Sequence, residues 1–452
     1  MRLVWGNALE LIEERKGYQE LWVSLDGRSD KAKAICYPEL SGKIRAGDRV
    51  LLNTTALDLE LGTGGRHFVV ARGAGAEHAD SVMQASASDS DKTSDIQFED
   101  AMEPGSGHLM KLRYTPHQHN VLSVEAQESP YHKIMESRDS LEGVPVVCCG
   151  LHSQVPLVAA AIKKAMPALT VGYVMDDSAS LALNLSKVLA DSLDAGLIDL
   201  SVSTGQAFGG QIEAINLHSG MLAAVHVGGC DVLITGIGPG LAGTGTPFGH
   251  GGVAQGEAIN AVASLGGVAI TCLRMSQAEE RTRHLGISHH SLTALSRVAL
   301  APSTIAVPYM DESCPVFDLV NSELDALPNA AGHSAFQLEE PFYDESSLRG
   351  VKVKTMGRDY AQDPLFYEAA SAAGATAAMV AVMTIEQETT EALENAQEAA
   401  KSAVFGGCGS ATSAADTEDL AETAHSCSQA SACPSASNCA SSCGSSRAPE
   451  GT

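Results

Sequence analysis

Aromatic residues are scarce in this chain: they make up only 4% of its 452 residues, although 44% of the residues are hydrophobic. A folded core must therefore be aliphatic, built from Val, Leu, Ile and Ala packed around many glycines. No apolar run reaches the roughly 18 residues that span a bilayer. The N-terminal sequence MRLVWGNALELIEERKG carries charges where a signal peptide has an apolar stretch. We therefore expect a cytoplasmic protein without membrane contact.

Basic residues are also few, with 29 Lys and Arg against 55 Asp and Glu, a net charge of −26. Much of this negative charge lies in residues 73–107 and 386–452. The first 72 residues hold no basic excess that would form a patch. Because affinity for a phosphate backbone depends on Lys and Arg displacing counterions, the sequence disfavours nucleic acid as a partner.

Paired cysteines of the CxxC type, which most zinc sites use, are absent from the eleven cysteines. Six cysteines lie mostly in apolar runs, where cysteine behaves as a small buried hydrophobe: Cys36, Cys148, Cys149, Cys230, Cys272 and Cys314. The other five lie in the C-terminal tail at loose spacing. That tail is either a metal-binding segment or a disordered Ser/Ala/Cys tail, and its composition favours disorder.

The N-terminal region, residues 1–72, contains five short apolar and β-branched stretches separated by turn residues. This pattern predicts a small β-barrel or sandwich domain. Residues 73–107 are acidic and lack periodicity, which indicates a flexible linker or insertion. Residues 108–115 (HLMKLRYT) predict a further strand, so we expect residues 108–143 to connect back to the β domain. Residues 386–452 are expected to form an acidic and then Ser/Ala/Cys-rich disordered tail.

Residues 144–385 alternate between apolar strand-like runs and helical stretches. Seven such alternations predict an α/β domain with a mostly parallel, doubly wound, Rossmann-like sheet. The predicted strands are residues 144–149, 170–175, 197–204, 231–237, 268–275, 303–309 and 351–356. In such a sheet, ligands bind beyond the carboxyl ends of the strands.

A glycine-rich loop at 236–252 follows the fourth predicted strand of this domain. Glycines let backbone N–H groups approach an anion closely, and threonines add hydroxyl donors. The candidate ligand-binding residues are Gly236, Gly238, Gly240, Gly243, Thr244, Gly245 and Thr246. The sequence matches GxGxxG formally, but the loop does not open a helix at once, so we infer phosphate or carboxylate binding and identify no cofactor. The alternative is a tightly packed loop without a ligand.

The second candidate segment, RTRHLGISHHSLTAL, is rich in basic residues and histidine. Ser288 is a plausible helix N-cap, and basic groups beside a helix start favour an anion. Arg274, Arg281, Arg283, His284 and His289 are therefore expected to bind the ligand. No metal is predicted, because adjacent histidines on a helix point about 100° apart and rarely reach one ion. A solvated basic loop that caps the helix is the competing interpretation.

His152 and Asp176 are the predicted catalytic residues, because each follows a buried strand at the expected ligand edge. An imidazole and a carboxylate at neighbouring strand ends allow general acid–base catalysis. Either side chain alternatively bonds to backbone groups, and Asp177 is equally suited to cap a helix. Ser153 lacks the GxSxG frame of a nucleophile elbow.

Several of these phrases together resemble an uncharacterised family of bacterial proteins from actinobacteria and other Gram-positive groups, known only as a domain of unknown function. The resemblance rests on GDRVLLNTTALDLELGTGGRHFVV, HLMKLRYTP, GLHSQ, GIGPGLAGTGTPFG and RTRHLGISHHSLTAL, and it covers residues 1–72 and 108–385. It implies a cytoplasmic bacterial protein and brings no activity with it.

Two functions are consistent with the sequence. The first is an enzyme that acts on a small phosphorylated or carboxylated metabolite. The second is a non-catalytic sensor or scaffold that binds a small anionic ligand and contacts a protein partner through residues 1–72. Clustered His, Arg and Asp residues favour the enzyme slightly, because they exceed what effector binding needs.

Overall fold

The N-terminal segment forms a closed five-stranded barrel in the computed structural model of the chain. The strand order is β1-β2-β3-β5-β4, with β3 and β5 parallel and the other neighbours antiparallel. Residues such as Leu21, Val23 and Leu52 fill its interior. The prediction of a small β domain is confirmed. The strands are β1 (Leu3–Arg15), β2 (Tyr18–Leu25), β3 (Lys31–Cys36), β4 (Arg49–Asn53) and β5 (Arg66–Arg72), with two short helices, α1 (Pro38–Ser41) and α2 (Thr55–Asp58).

The structure describes residues 3–58, 65–73, 107–113, 117, 119–177, 180–327 and 330–406. The predicted linker, apart from its two end residues, and the tail beyond residue 406 lie outside these ranges.

Two strands after the linker, β6 (Leu109–Lys111) and β7 (His119–Val121), pair with each other. They form a separate two-stranded sheet and do not join the barrel, which differs from the expected return to the β domain. Lys111 is fully buried and donates hydrogen bonds to the carbonyl oxygens of Gly205 and Ala207, both at 2.8 Å. It also forms an ion pair with Glu213 at 3.0 Å. Lys111 therefore ties this short sheet to the α/β part.

The α/β part contains an eight-stranded parallel sheet with helices on both faces, as predicted. Its order is β11-β10-β9-β12-β8-β13-β16-β17. Alternate residues of one strand enter opposite cores: Val146 and Cys148 face one, Val147 and Cys149 the other. Both faces are covered, which explains why this strand is apolar throughout. The strands are β8 (Pro145–Cys149), β9 (Val171–Asp176), β10 (Leu200–Thr204), β11 (Ile212–Ala214), β12 (Val232–Ile237), β13 (Val268–Cys272), β16 (Thr304–Val307) and β17 (Ser334–Gln337). Between β13 and β16, β14 (Met275–Ser276) and β15 (Gly286–Ile287) form a small separate sheet.

The main helices of this part cover the sheet on its two sides. They are α3 (His132–Ser137), α4 (Val155–Ala165), α5 (Lys187–Asp194), α6 (Leu217–His226), α7 (Ala254–Ser264), α8 (His289–Thr293), α9 (Phe317–Asp325) and α10 (Pro364–Gly406). α4 packs into one core and α7 into the other. The connections that leave the adjacent strands β8 and β12 thus run over opposite faces, which opens a crevice at their carboxyl ends.

Three sequence predictions about individual elements were wrong. The segment 351–356 is no strand: Val351 and Val353 are buried in an extended stretch without a ladder. The edge strand of the sheet on this side is instead β17, Ser334–Gln337. The helical stretch expected after the predicted strand 197–204 begins instead with β11, and α6 starts only at Leu217. The chain after residue 385 continues as α10 to Gly406, so the expected tail does not begin at residue 386.

The start of α10, Pro364–Gln387, is long and apolar enough to cross a bilayer, with a mean hydropathy of 1.4 over its best window. Counting uninterrupted apolar runs missed this segment because Glu368 and small residues interrupt it. Two-thirds of that window is buried inside the protein, where alanines pack on α4 and the sheet. Gly374 allows this contact, because a Cβ there would lie 2.4 Å from the carbonyl oxygen of Val158. The burial is that of a core helix.

Candidate functional site

A cavity of about 520 Å³ lies at the carboxyl ends of β8, β12 and β13. This volume suits a metabolite-sized molecule. We call it the first cavity. Its polar and glycine lining is His152, Ser153, Gly238, Gly240, Gly243, Gly245, Arg274, Arg281, Arg283, His284, His290, Lys354 and Thr355. Most of the residues predicted for the ligand site therefore come together here.

The glycine-rich loop contributes backbone rather than side chains to the first cavity. Gly240 and Gly245 have φ of +98° and +77°, the left-handed region that favours glycine. Within the part of the chain that the structure describes, the N–H groups of Gly240, Gly243 and Gly245 have no protein acceptor. Their hydrogen-bonding capacity is therefore not used by the fold.

Three of the predicted loop residues lie elsewhere. Gly236 is inside β12, where a Cβ would lie 3.1 Å from the carbonyl oxygen of Cys149, so close strand packing accounts for it. The hydroxyls of Thr244 and Thr246 contact each other at 2.9 Å. Thr244 also donates to the carbonyl of Gly249, whose N–H donates to Thr246. These two threonines fix the turn of the loop and do not line the cavity.

Arg274 directly follows β13 and is held at its backbone by the α8 segment. Its N–H donates to Ser291 Oγ at 3.0 Å, and its carbonyl accepts from the N–H of Ser288 at 2.8 Å. The side chain is only 8% exposed, yet among the described residues no carboxylate forms an ion pair with it. Its Nη1 donates to His290 Nδ1 at 3.2 Å. Burial lowers the pKa of this guanidinium from 12.5 to about 10, which still leaves a cation at neutral pH.

The other three cations of the lining differ in how they are compensated. Arg281 donates two hydrogen bonds of 2.9 Å to Glu279, which also accepts from Arg358 at 3.3 Å. These contacts, with the Arg281 bond the largest, lower the pKa of Glu279 to about 2. Arg283 and Lys354 are exposed, and neither has an ion-pair partner in the described ranges. No Asp or Glu lines the first cavity, so its lining is cationic although the chain is strongly acidic.

Four histidines form a cluster beside Arg274: His250, His284, His289 and His290. Their ring centroids lie 3.9–5.3 Å apart in the neighbouring pairs. Burial, and then the nearby cations and imidazoles, lower the pKa of His284 to about 3 and that of His290 to about 2. The same causes lower the pKa of His289, and burial lowers that of His250. All four rings are therefore neutral at physiological pH.

The hydrogen bonds select the ring nitrogen that carries the proton in two of these histidines. Because Arg274 donates to Nδ1 of His290, the proton of this ring is on Nε2. His284 Nδ1 lies 2.7 Å from Ser288 Oγ, which already accepts the N–H of His290. If the Ser288 hydroxyl donates to this Nδ1, Nε2 of His284 also carries a proton. Both rings then carry their N–H donor at Nε2.

The cluster also contains three histidines with metal-ligand potential: ligand atoms of His250, His289 and His290 lie within 4.8 Å of one another. Two nitrogens bound to one zinc ion at 2.0–2.1 Å are separated by at most ~4.2 Å. His250 and His290 moreover stack at 3.9 Å with an interplanar angle of 10°, so their in-plane lone pairs do not converge. Since Arg274 also occupies His290 Nδ1, this arrangement does not fit a metal ion.

His152 lies at the end of the first cavity and is buried. Its Nε2 lies 2.6 Å from Ser186 Oγ, and its Nδ1 lies 3.3 Å from the hydroxyl of Tyr173. Burial lowers the pKa of His152 to about 4. Asp176 ends β9 and lines neither cavity described here. The structure thus gives His152 a serine and a tyrosine as partners, instead of the expected carboxylate.

Asp177, the neighbouring acid, has a structural contact. Its Oδ1 accepts the N–H of Ala207 at 2.9 Å, and it packs on Gly205, where φ is +60°. Burial raises the pKa of this carboxyl. The N-cap role suggested for Asp177 would act on the residues that follow it, and residues 178 and 179 lie outside the described ranges.

A second cavity of about 570 Å³ lies between the barrel and the α/β part. The two cavities share His152, Val188, Pro239 and Gly240. Ser186 lines the second cavity, together with barrel residues such as Arg15 and Tyr18. Sequence reasoning missed Ser186 and Tyr173. Ser186 is the N-cap of α5 and accepts the N–H of Leu189 at 3.1 Å. The sequence after the predicted strand 170–175 has a helical pattern already from residue 180, so it does not identify residue 186 as a helix start.

The sequence family described as "Protein of unknown function (DUF3866)" matches residues 33–374. This span includes the α/β residues that line the first and the second cavity, and the barrel strands β4 and β5. A search among curated proteins gives no match.

Proposed function

The chain belongs to the DUF3866 family of proteins of unknown function, and from the charges of its first cavity we propose that it is a cytoplasmic enzyme acting on a small phosphorylated or carboxylated metabolite. The observation that carries the proposal is Arg274, a buried cation without an ion-pair partner among the described residues. A buried charge is costly unless something compensates it. The anionic group of a ligand supplies that compensation.

The remaining lining supports the same ligand chemistry. Arg283 and Lys354 add positive charge, and the loop N–H groups of Gly240, Gly243 and Gly245 add neutral donors. Such converging donors bind phosphate and carboxylate oxygens.

Catalysis is proposed because a neutral imidazole adjoins this anion site. His152 lines the first cavity and its Nε2 contacts a hydroxyl at hydrogen-bond distance. A neutral imidazole in such a contact accepts a proton in general base catalysis. Asp176 lines neither of the two cavities, and we do not assign it a catalytic role.

The test is the stability of the protein in inorganic phosphate compared with chloride at equal ionic strength. A ligand at 100 times its Kd raises the free energy of unfolding by about 2.7 kcal/mol. We expect this gain for the wild type and for Arg297→Gln, an exposed control, but not for Arg274→Gln. Equal gains in all three proteins would refute an anion site at Arg274.

The second candidate function, a non-catalytic sensor with a protein partner, is favoured by one surface. The strand β1 exposes five large apolar side chains on the barrel: Leu3, Trp5, Leu9, Leu11 and Ile12. Apolar groups gathered at a surface mark interaction sites. This function predicts that an anionic ligand is recovered chemically unchanged after incubation, and that Leu9→Glu abolishes partner binding while phosphate still stabilises the protein.

A further inference from the structure

We infer that Ser186 is a nucleophile activated by His152, so that the enzyme transfers the acyl group of an ester whose anionic portion lies in the first cavity. The inference rests on the proposed function for the anionic portion of the substrate. It adds the reacting bond, the nucleophile and a second binding region. The observations that carry it are the Ser186–His152 contact of 2.6 Å and its position between two cavities.

The hydrogen-bond chain behind His152 selects the tautomer that a general base requires. Burial raises the pKa of Tyr173, so its hydroxyl keeps its proton and donates to the carbonyl of Gly236 at 3.3 Å. The hydroxyl oxygen then accepts from Nδ1 of His152. With the proton on Nδ1, Nε2 has a lone pair directed at Ser186 and accepts its hydroxyl proton.

The two cavities divide the substrate at this contact. His152 lines both, and Ser186 lines the second. An anionic group held near Arg274 leaves the remainder of the molecule to pass Gly240 and Val188 toward the barrel. The second cavity combines apolar side chains such as Leu185 and Phe68 with charged side chains that are already paired, such as Arg66 with Glu20. The chemical class is therefore an ester with an anionic group on one side of the reacting carbonyl and an uncharged group on the other.

The step conserves atoms and protons. Ser186 Oγ forms a bond to the carbonyl carbon while its proton passes to Nε2 of His152. The carbonyl oxygen becomes an oxyanion, for which the N–H groups of Lys187 and Val188 remain as donors, because Leu189 and Ala190 use theirs within the described helix start. The bond from the carbonyl carbon to the leaving oxygen then breaks, and that oxygen takes the proton from His152. Water then attacks the same carbonyl carbon while His152 takes its proton. The bond to Ser186 Oγ breaks, Ser186 regains its proton from His152, and the acid is released.

A purely structural role would also explain the N-cap contact, so the test must detect reactivity. The full-length protein is treated with a fluorophosphonate, which reacts with activated serines, and the intact mass and labelled peptide are measured. We expect one label, on Ser186. Ser192→Ala, which removes a hydroxyl on the same helix that donates only to a backbone carbonyl, should label at the wild-type rate.

Two variants separate the nucleophile from the cap and the base. Ser186→Asn keeps an acceptor for the helix start and should show no label. His152→Gln should label Ser186 at least ~100-fold more slowly, the range for loss of general base catalysis. Absence of label from the wild type, label on another residue, or wild-type rates in either variant would overturn the inference.

The phosphate stability test keeps this result distinct from the proposed anion site. If phosphate stabilises the wild type but no serine is labelled, the anion site is supported and the assignment of Ser186 as nucleophile is refuted. Label on Ser186 without stabilisation by phosphate would support the nucleophile and remove the first cavity as the anion site. Both variants are accepted only if their far-UV circular dichroism and thermal midpoint show a folded protein.

Discussion

Arg274→Gln should make the unliganded protein more stable, although it removes a buried contact. The pKa of Arg274 falls from 12.5 to about 10 on folding, which at ~1.4 kcal/mol per pKa unit is a cost of about 3 kcal/mol for keeping the charge. Its bond to His290 offsets about 1 kcal/mol of this cost. Gln is uncharged and retains an amide donor. We therefore expect the free energy of unfolding to rise by about 2 kcal/mol.

The sign of the effect follows from linkage. The folded state holds the proton of Arg274 less tightly than the unfolded state, so the cost is present at every pH below about 10 and disappears only above 12.5. Urea denaturation at pH 7.5 without phosphate measures the change, with an unchanged m value required for the comparison. Arg297→Gln should stay within ~0.5 kcal/mol of the wild type. A loss of more than ~1 kcal/mol in Arg274→Gln would show that the arginine supports the fold, and the argument for an uncompensated cation would fail.

Three further predictions concern buried groups in the α/β part. The pKa of His290 is about 2 in the folded protein and 6.5 as the ordinary value, so only the unfolded state takes up this proton as the pH falls below 6.5. The wild type therefore loses stability between pH 8 and pH 5. His290→Gln should lose about 2 kcal/mol less unfolding free energy over this range, measured in urea titrations. Lys111→Met leaves Glu213 buried without a cationic partner and should lower the free energy of unfolding by about 3–5 kcal/mol. The second substitution Glu213→Leu should restore most of this loss. Equal losses in the single and double variants would contradict a paired charge. Gly374→Ala places a Cβ 2.4 Å from the Val158 carbonyl oxygen and should lower the thermal midpoint, at a cost of about 1–3 kcal/mol.

The fold was predictable where burial leaves a pattern in the sequence. The strand at 145–149 is buried on both faces, so all five of its residues are small or apolar. The edge strand Ser334–Gln337 is exposed along its whole length and leaves no such pattern. The opposite error occurred at 351–356, where alternating Val and Lys match a strand but the chain packs two valines into the core without a ladder.

The site was predictable in its location and much less so in its contacts. The rule for parallel sheets placed Arg274 and the glycine loop at one edge from sequence alone. It gave no means of finding the contact between His152 and Ser186, which are 34 residues apart, because that depends on how α5 begins. The same holds for His250, whose loop folds back onto α8 and stacks it on His290.

Arg15, at the end of β1, extends this dependence to the barrel. Its guanidinium donates to the carbonyl oxygens of Asn184 and Leu185, the two residues that precede Ser186. The position of the proposed nucleophile therefore depends on the barrel. A substitution in the barrel that moves Arg15 would shift Ser186, even though the substituted residue does not contact Ser186. Tyr18 and Phe68 of the barrel line the second cavity without contributing to the Ser186–His152 contact. Substitutions at these two positions would change which substituent of the substrate fits and leave that contact in place. The barrel would then keep Ser186 in position through Arg15, while its residues that line the second cavity determine the range of substrates.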